Sequence, residues 1–325
     1  MPFDHELKLG RALKHLQDLN VKVNAWVKEA HYTVRYAYEP NASWDGPVPP
    51  GLADAPPGTA RSYLAGAVFP PGQPHVAPTG APFGQGLLTA YVTAEHPPSD
   101  PISLLVGDAL HNLRSSLDLL AFALASAHTK PLPKELADRS EFPIFGDENR
   151  KGIPGSGAAM FGARTRTGDP APNSGLSKIQ GWHPDAQTVV EGLQPYKRGK
   201  DFRSDPIWLI HDLDRVSKHR LLHPAVAAFS GTSWEVMMTR NIKAIGPGFY
   251  ESRAGTLGTD TPIARVFGVH PIDPSADVHM EIHPALDAAF GDTARSAEGK
   301  PLMATLAELY KYVAVTVVPQ LAPFL

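Results

Sequence analysis

Residues 204–223 read SDPIWLIHDLDRVSKHRLLH, and the reading of this stretch decides how the rest of the chain is organised. Ser-Asp-Pro-Ile is the punctuation of a helix start. Asp205 fits the N-cap, where a carboxylate accepts from the first free N–H groups, and Pro206 fits the first helical position, where no N–H is needed. Leu209, Leu213 and Val216 then recur at helical spacing, while His211, Asp214, Arg215 and Lys218 gather opposite them between Ile207, Trp208 and Leu222. The same four letters open residues 99–128, SDPISLLVGDALHNLRSSLDLLAFALASAH, which places Asp100 at an N-cap and Pro101 first in the helix. Here Leu110, Leu113, Leu117, Leu120 and Leu124 form a broad apolar face. Opposite stand His111, Arg114 and Asp118, bounded by Leu104 and Phe122. Beyond the shared start the two segments do not align, so they are not an internal repeat. Two polar islands of complementary sign are expected to meet across adjoining helices.

Working outward, residues 4–29 space Leu9, Leu13, Leu16, Val23, Trp26 and Val27 for an amphipathic helix. HYTVRYAYE (31–39) and LLTAYVTAE (87–95) alternate as two strands of one sheet. The segment 40–86 between them is rich in Pro, Gly and Ala, and it is expected to be a flexible insertion. EFPIF (141–145) reads as a short buried segment, 150–177 as a second flexible loop, and Pro184 to Leu193 as a helix. Residues 224–284 change period. TSWEVMMTR, TPIARVFGV and DVHMEIH are short, β-branched or aromatic, and separated by Gly and Pro, which predicts an antiparallel β-rich part. Leu302, Leu306, Leu309, Val313 and Val317 make a closing helical stripe. The expected class is α+β: packed N-terminal, middle and C-terminal helices against a mainly antiparallel sheet, with residues 1–325 forming one composite domain.

Thirty Lys and Arg against 33 Asp and Glu leave a formal charge of -3, so there is no basic field to gather nucleic acid. A nucleic-acid partner would need a local patch; Arg164, Arg166, Lys197, Arg198, Lys200 and Arg203 are scattered and read as solvated surface. With no cysteine, thiolate nucleophiles, disulfides and thiolate metal sites are excluded. No apolar leader opens the sequence and no stretch approaches a membrane span, so the cytoplasm is the expected location and no membrane partner is expected. A homo-oligomer stays open, and no cofactor is expected. GIPGSGAAMFG (152–162) lacks the Lys-Ser/Thr of a phosphate loop and is expected to be coil, and there is no GxSxG elbow.

The polar islands carry the chemistry. Buried charges persist where they are paired, so a network of Arg114, Asp118, Asp214 and Lys218 across two helices would be structural with no catalysis. The rival reading takes His111 or His211 as general acid or base, Asp118 or Asp214 as the group that orients it, and Arg114 or Lys218 as the stabiliser of developing charge. That is the equipment of a metal-independent nuclease. His219 and His223 are four apart, yet Arg220 stands where a HExxH motif needs Glu. The better metal candidate is HMEIH, where alternation sets His279, Glu281 and His283 on one strand face, as a metal-dependent hydrolase would require.

At GDALHNLRSSLDLL, FPIF, LQPY and IWLIHDLDRVSKHRLLH the chain resembles a family of uncharacterised bacterial and phage-encoded proteins, mainly actinobacterial. The likeness spans the N-terminal, middle and closing helices, and it implies an organisation but no activity. A fainter likeness is to the HEPN class of helical ribonucleases, whose signature is Arg followed by His with four to six residues between. Here Arg215 and His219 have three residues between them, and Arg215 and His223 have seven.

Overall fold

The computed structural model describes residues 4–29, 32–39, 87–94, 98–147, 156–222, 224–228, 233–238, 242–245, 250–252, 255–256, 261–267, 269–271, 278–283 and 286–325. It is α+β. The chain, expected as one composite body, gathers its contacts into two compact units: Met1–Trp26 with Pro98–Pro224 and Ala288–Leu325, and Val27–Pro97 with Ala225–Asp287. The insertion at 40–86 lies outside the described residues.

The first unit is built of helices. Helix α1 (Asp4–Glu29) buries His5, Leu9, Ala12, Leu16, Leu19 and Val23. These positions alternate steps of four and three, the narrow seam of a 3.5-residue repeat. Leu13, expected in that seam, lies one position off it and is 38% exposed. Helix α2 (Asp100–His128) carries its predicted apolar face fully inside, with Leu110, Leu113, Leu117 and Leu120 at 0% exposure. Its start corrects the sequence reading by one residue. Ser99 is the N-cap, makes no side-chain cap bond, and leaves Asp100 as an exposed first-turn carboxylate favouring the helix dipole. Leu104 and Phe122, expected to bound a polar island, are instead 55% and 45% exposed.

Helix α3 (Lys134–Arg139) leads to the extended segment 141–147. The stretch 150–177, expected to be flexible, is a correction in its described part. It holds α4 (Ser156–Phe161), a β-bridge between Arg164 and Pro170, and α5 (Gly175–Lys178), capped by the Ser174 hydroxyl accepting from the Ser177 amide. Periodicity missed this order because a single anchor provides it: Phe161 is 2% exposed, and its ring lies where a Cβ at Gly175 would stand.

Helix α6 (Pro184–Gly192) starts where proline predicted. A 3₁₀ stretch (Pro195–Ser204) then delivers α7 (Pro206–Ser217). Asp205 caps α7 as expected. Its Oδ1 accepts from the Ile207 amide at 2.9 Å, while Oδ2 accepts from Arg198 Nε at 2.7 Å. Helix α7 stops at Ser217, so the helical spacing expected of His219 and His223 does not arise; His219 lies in the turn beyond and His223 outside the described residues.

Helix α8 (Leu302–Lys311) continues through a π-helical turn (Tyr312–Val317) into Val318–Leu321. Pro319 explains the widened turn: its ring lacks an N–H and would crowd the carbonyl of Val315. Leu302, Leu306, Leu309, Val313, Val317 and Leu321 are all at most 2% exposed, and this stripe packs on α7 and α6. The sequence reading found no stretch near the length of a membrane span. Among the described residues one helix, Leu302–Phe324, is long and apolar enough to cross a membrane, with mean hydropathy 1.2 over its best window. One face of it, the stripe just named, is buried, the pattern of an amphipathic helix, while Val315 on another face is 60% exposed.

The second unit is antiparallel sheet, as the alternating segments predicted. Strands β1 (Tyr32–Glu39) and β2 (Leu87–Ala94) pair in register from Tyr32↔Ala94 to Glu39↔Leu87, and Arg35 lies 4.4 Å from the ring of its partner Tyr91. The remaining strands are β3 (Pro224–Ala228), β4 (Ser233–Met238), β5 (Ile242–Ile245), β6 (Tyr250–Ser252), β7 (Gly255–Thr256), β8 (Thr261–Phe267), β9 (Val269–Pro271), β10 (Val278–His283) and β11 (Leu286–Phe290), whose residues from Ala288 on are counted with the helical unit. The largest sheet has the order β1-β2-β8-β6. The β2–β8 ladder bulges at Ala90/Tyr91, opposite Pro262, which has no N–H to donate to it.

Within the helical unit, FPIF and LQPY are joined by one side chain. Gln194, 1% exposed, donates to the carbonyls of Pro143 (2.9 Å) and Val190 (3.0 Å) and accepts from the Phe145 amide at 3.1 Å; the Tyr196 amide donates to the Phe145 carbonyl at 3.0 Å. Replacing Gln194 by Ala strands at least two buried backbone groups, so Gln194→Ala is expected to lower stability by about 3 kcal/mol. Hydrogen exchange at the Phe145 amide checks it, and that amide should lose protection first.

Candidate functional site

Helices α2 and α7 pack side by side, and the pairs that meet show them antiparallel. A Cβ at Gly107 would lie 3.7 Å from the Ser217 Cβ, and His111 Nδ1 stands 3.3 Å from Asp214 Oδ1 one turn further along α2. Expectation had Arg114, Asp118, Asp214 and Lys218 neutralising one another across this seam. The structure corrects that picture by separating them into two groups.

The first group is centred on Arg114, whose side chain is 6% exposed. Its Nη2 reaches Asp118 Oδ1 at 2.8 Å on its own helix and Glu141 Oε1 at 2.9 Å, and donates to the Phe142 carbonyl at 3.1 Å. Asp118 Oδ1 also accepts from the Phe142 amide at 3.1 Å, and Lys178 closes the group on Glu141 Oε2 at 2.7 Å. Arg114 and Asp118 therefore grip both backbone polar groups of Phe142. Burial pushes the Asp118 carboxyl above its ordinary range against the pull of Arg114. For Glu141 burial acts upward too, but Lys178 and Arg114 outweigh it and hold the carboxyl below its usual value. Glu141 and Lys178 were not foreseen. A buried arginine beside a half-exposed aspartate needed a second acid, and the Glu that opens EFPIF was the signal.

The second group is His111, Asp214 and Lys218. Asp214 is 4% exposed and splits its oxygens: Oδ1 to His111, Oδ2 to Lys218 Nζ at 2.7 Å within its own helix. The His111 side chain is 54% exposed, and its Nε2 lies 3.5 Å from Ser115 Oγ. His111–Asp214 is thus the one ionisable contact among the described residues that spans α2 and α7, and it has the form of a histidine oriented by a buried carboxylate.

His211 belongs to neither group. It lies along α7 from Trp208, with ring centroids 5.8 Å apart, and lines a cavity of about 250 Å³ with Lys178, Trp208 and Phe145. Burial, then the charges of Arg114 and Arg215, lower its pKa to about 4, so the imidazole is neutral at physiological pH. His111, with its side chain 54% exposed on Asp214, and His211, in the cavity wall, thus stand in different surroundings.

Among the described residues no group of three or more His, Asp or Glu could hold a metal. HMEIH is a strand as expected, with Glu281 opposite Glu235 across the β10–β4 ladder; the side chains of His279, Glu281 and His283 lie outside the described residues. Of the scattered cations, Arg198 is engaged on Asp205 and Lys197 on Glu191. No family model, no curated protein and no solved structure matches the chain.

The titration of His211 gives a checkable pH dependence. Its folded pKa lies below the unfolded 6.5, so the unfolded chain binds the extra proton; this contribution is complete above pH 6.5 and lost as pH falls toward about 4. Wild type is expected to lose up to about 3 kcal/mol over that window relative to His211→Gln. Denaturant unfolding at successive pH values, with the imidazole followed by NMR, reads both quantities.

Proposed function

We propose that the chain is a cytoplasmic factor, non-enzymatic or of unassigned activity, of the phage- or mobile-element-linked family it resembles, and that its His/Arg/Asp cluster is chiefly structural. The observation that supports this reading is the use to which Arg114 is put. A guanidinium 6% exposed, already engaged by Asp118, Glu141 and the Phe142 carbonyl, is committed to fastening the 141–145 segment onto α2 and is closed off from a solvent-borne phosphate. Three of the four motifs of the resemblance take part in that fastening: α2 supplies Arg114 and Asp118, FPIF is what they hold, and Gln194 of LQPY clamps its other end; α7, the fourth, packs against α2.

A second reading, a metal-independent ribonuclease, has one observation in its favour: the half-exposed imidazole of His111 on the buried carboxylate of Asp214, with Lys218 beside it. In that reading Arg114, Asp118 and His211 drop out of the chemistry, and the candidate machinery shrinks to His111, Asp214 and Lys218.

One comparison separates the two. Arg114→Met should lower stability by about 3 kcal/mol, because it leaves Asp118 and a backbone carbonyl without their cation and Glu141 with Lys178 alone. His111→Ala, losing one partly exposed contact, should cost under about 1 kcal/mol. RNA incubated with wild type, His111→Ala and Arg114→Met should stay uncut in all three. Metal-independent cleavage by wild type that disappears in the stable His111→Ala variant would establish the second reading instead.

A further inference from the structure

The cavity beside α7 is lined by two kinds of surface. Phe145, Trp208 and Met160 supply flat and flexible apolar walls, and Lys178, His211 and Asn173 supply polar atoms. About 250 Å³ is the liquid volume of roughly eight waters, which suits a single ring with one substituent. The walls are fixed by close approach. A Cβ at Gly146 would stand 2.5 Å from the Phe202 ring and 2.8 Å from that of Trp208, so the bare backbone at this position lets the Trp208 indole lie as it does. Phe202 in turn abuts Trp208 edge-on, with ring centroids 4.9 Å apart. Asn173 is the one residue other than glycine, among those described, at positive φ (63°), a left-handed turn conformation that asparagine adopts readily.

The polar side of the cavity favours negative charge. Lys178 places its ammonium 5.8 Å from the centre of the Phe145 ring and has spent one of its three donors on Glu141. Of the residues that line the cavity, Lys178 alone carries a formal charge at neutral pH, and the His211 imidazole beside it is uncharged. A neutral imidazole donates one hydrogen bond from whichever nitrogen carries its proton. Arg114 stands behind the lining, with its Nη2 engaged on Glu141 and the Phe142 carbonyl and its Nη1 buried without a hydrogen-bond partner in the structure.

We propose that this cavity is a binding site for a small planar-ring anion, a single-ring aromatic carboxylate or phosphate ester, with the ring between Trp208 and Phe145 and the anionic group on Lys178 and His211. The site goes beyond the structural role of the cluster, and it shares Lys178 with it. Occupancy would be sensed by the brace, because Lys178 is also the cation on Glu141.

The test is titration calorimetry with ligand-observed NMR on the whole chain. The probes are benzoate and phenyl phosphate, with benzamide as the uncharged counterpart and acetate as the ringless one. Saturable binding of at least one ring anion is expected, weakened about tenfold or more for benzamide and acetate, the loss that accompanies one missing charge-assisted contact or one unfilled wall. Whichever ring anion binds better identifies the anionic group. Met160→Trp, which fills the cavity without touching any ion pair, should abolish binding while the circular dichroism spectrum stays that of wild type; Lys178→Met should weaken binding about tenfold. Absence of saturable binding by both ring anions, or equal affinity in Met160→Trp, would overturn the assignment. Either result leaves the structural reading of Arg114 to its own stability measurement.

Discussion

The helical unit depends on a guanidinium placed where water cannot reach it. Arg114 sits on α2 at 6% exposure, and a buried cation is tolerated only if acids and carbonyls come to it. Three do: Asp118 from one turn on, Glu141, and the main chain at Phe142. The consequence is structural. The segment 141–145 has no ladder partner of its own, yet its polar groups are met at one end by Arg114 and Asp118 and at the other by Gln194 and the Tyr196 amide. Phe142 at 0% and Phe145 at 8% exposure can then be buried without stranding their backbone. Breaking the ionic end would expose the same segment whose other end is held by amide chemistry, so the two halves support each other.

Much of this was legible where local rules decide. The Pro-flanked starts of α6 and α7, the leucine face of α2, the stripe of α8 and the pairing of β1 with β2 follow from caps and periods that act within a few residues. Errors arose where two local signals competed or where the deciding partner was distant. Ser-Asp-Pro-Ile occurs twice, but Asp205 caps its helix and Asp100 does not, because Arg198 anchors the first aspartate from outside the helix and the second is exposed. In α1 both Leu13 and Ala12 fit a helical stripe; the seam of 3.5-residue period chose the small residue and left the large one half outside.

The candidate site was legible as a set of residues but not as an arrangement. The six side chains were identified together because they share helix faces, and faces are all that periodicity reports. Which acid each cation meets depends on the angle and separation of two helices and on a segment between them that has no period at all. Hence Glu141 and Lys178, which complete the Arg114 group, were missed, and Asp214 and Lys218, expected to face Arg114, form a group with His111 instead. The stretch 156–178 went unread for a related reason: its order comes from Phe161 seated against Gly175, a contact between residues that carry no repeating pattern.

The division of the cluster bears on what either half can do. An atom already engaged is a poor catalyst, because the field it would offer a reacting group is spent on its partner, as Arg114 Nη2 is on Asp118 and Glu141 at 2.8 and 2.9 Å. At the surface and in the cavity wall, the groups with something left to offer are the exposed edge of His111, the two remaining donors of Lys178, and the uncharged imidazole of His211. Two of these three face the same cavity, on the side where Arg114 projects its charge without being able to move. A fixed buried cation thus does two things at once. It holds the 141–145 segment in place, and its charge is felt at His211, in the wall of the cavity that Ile144 and Phe145 help to line.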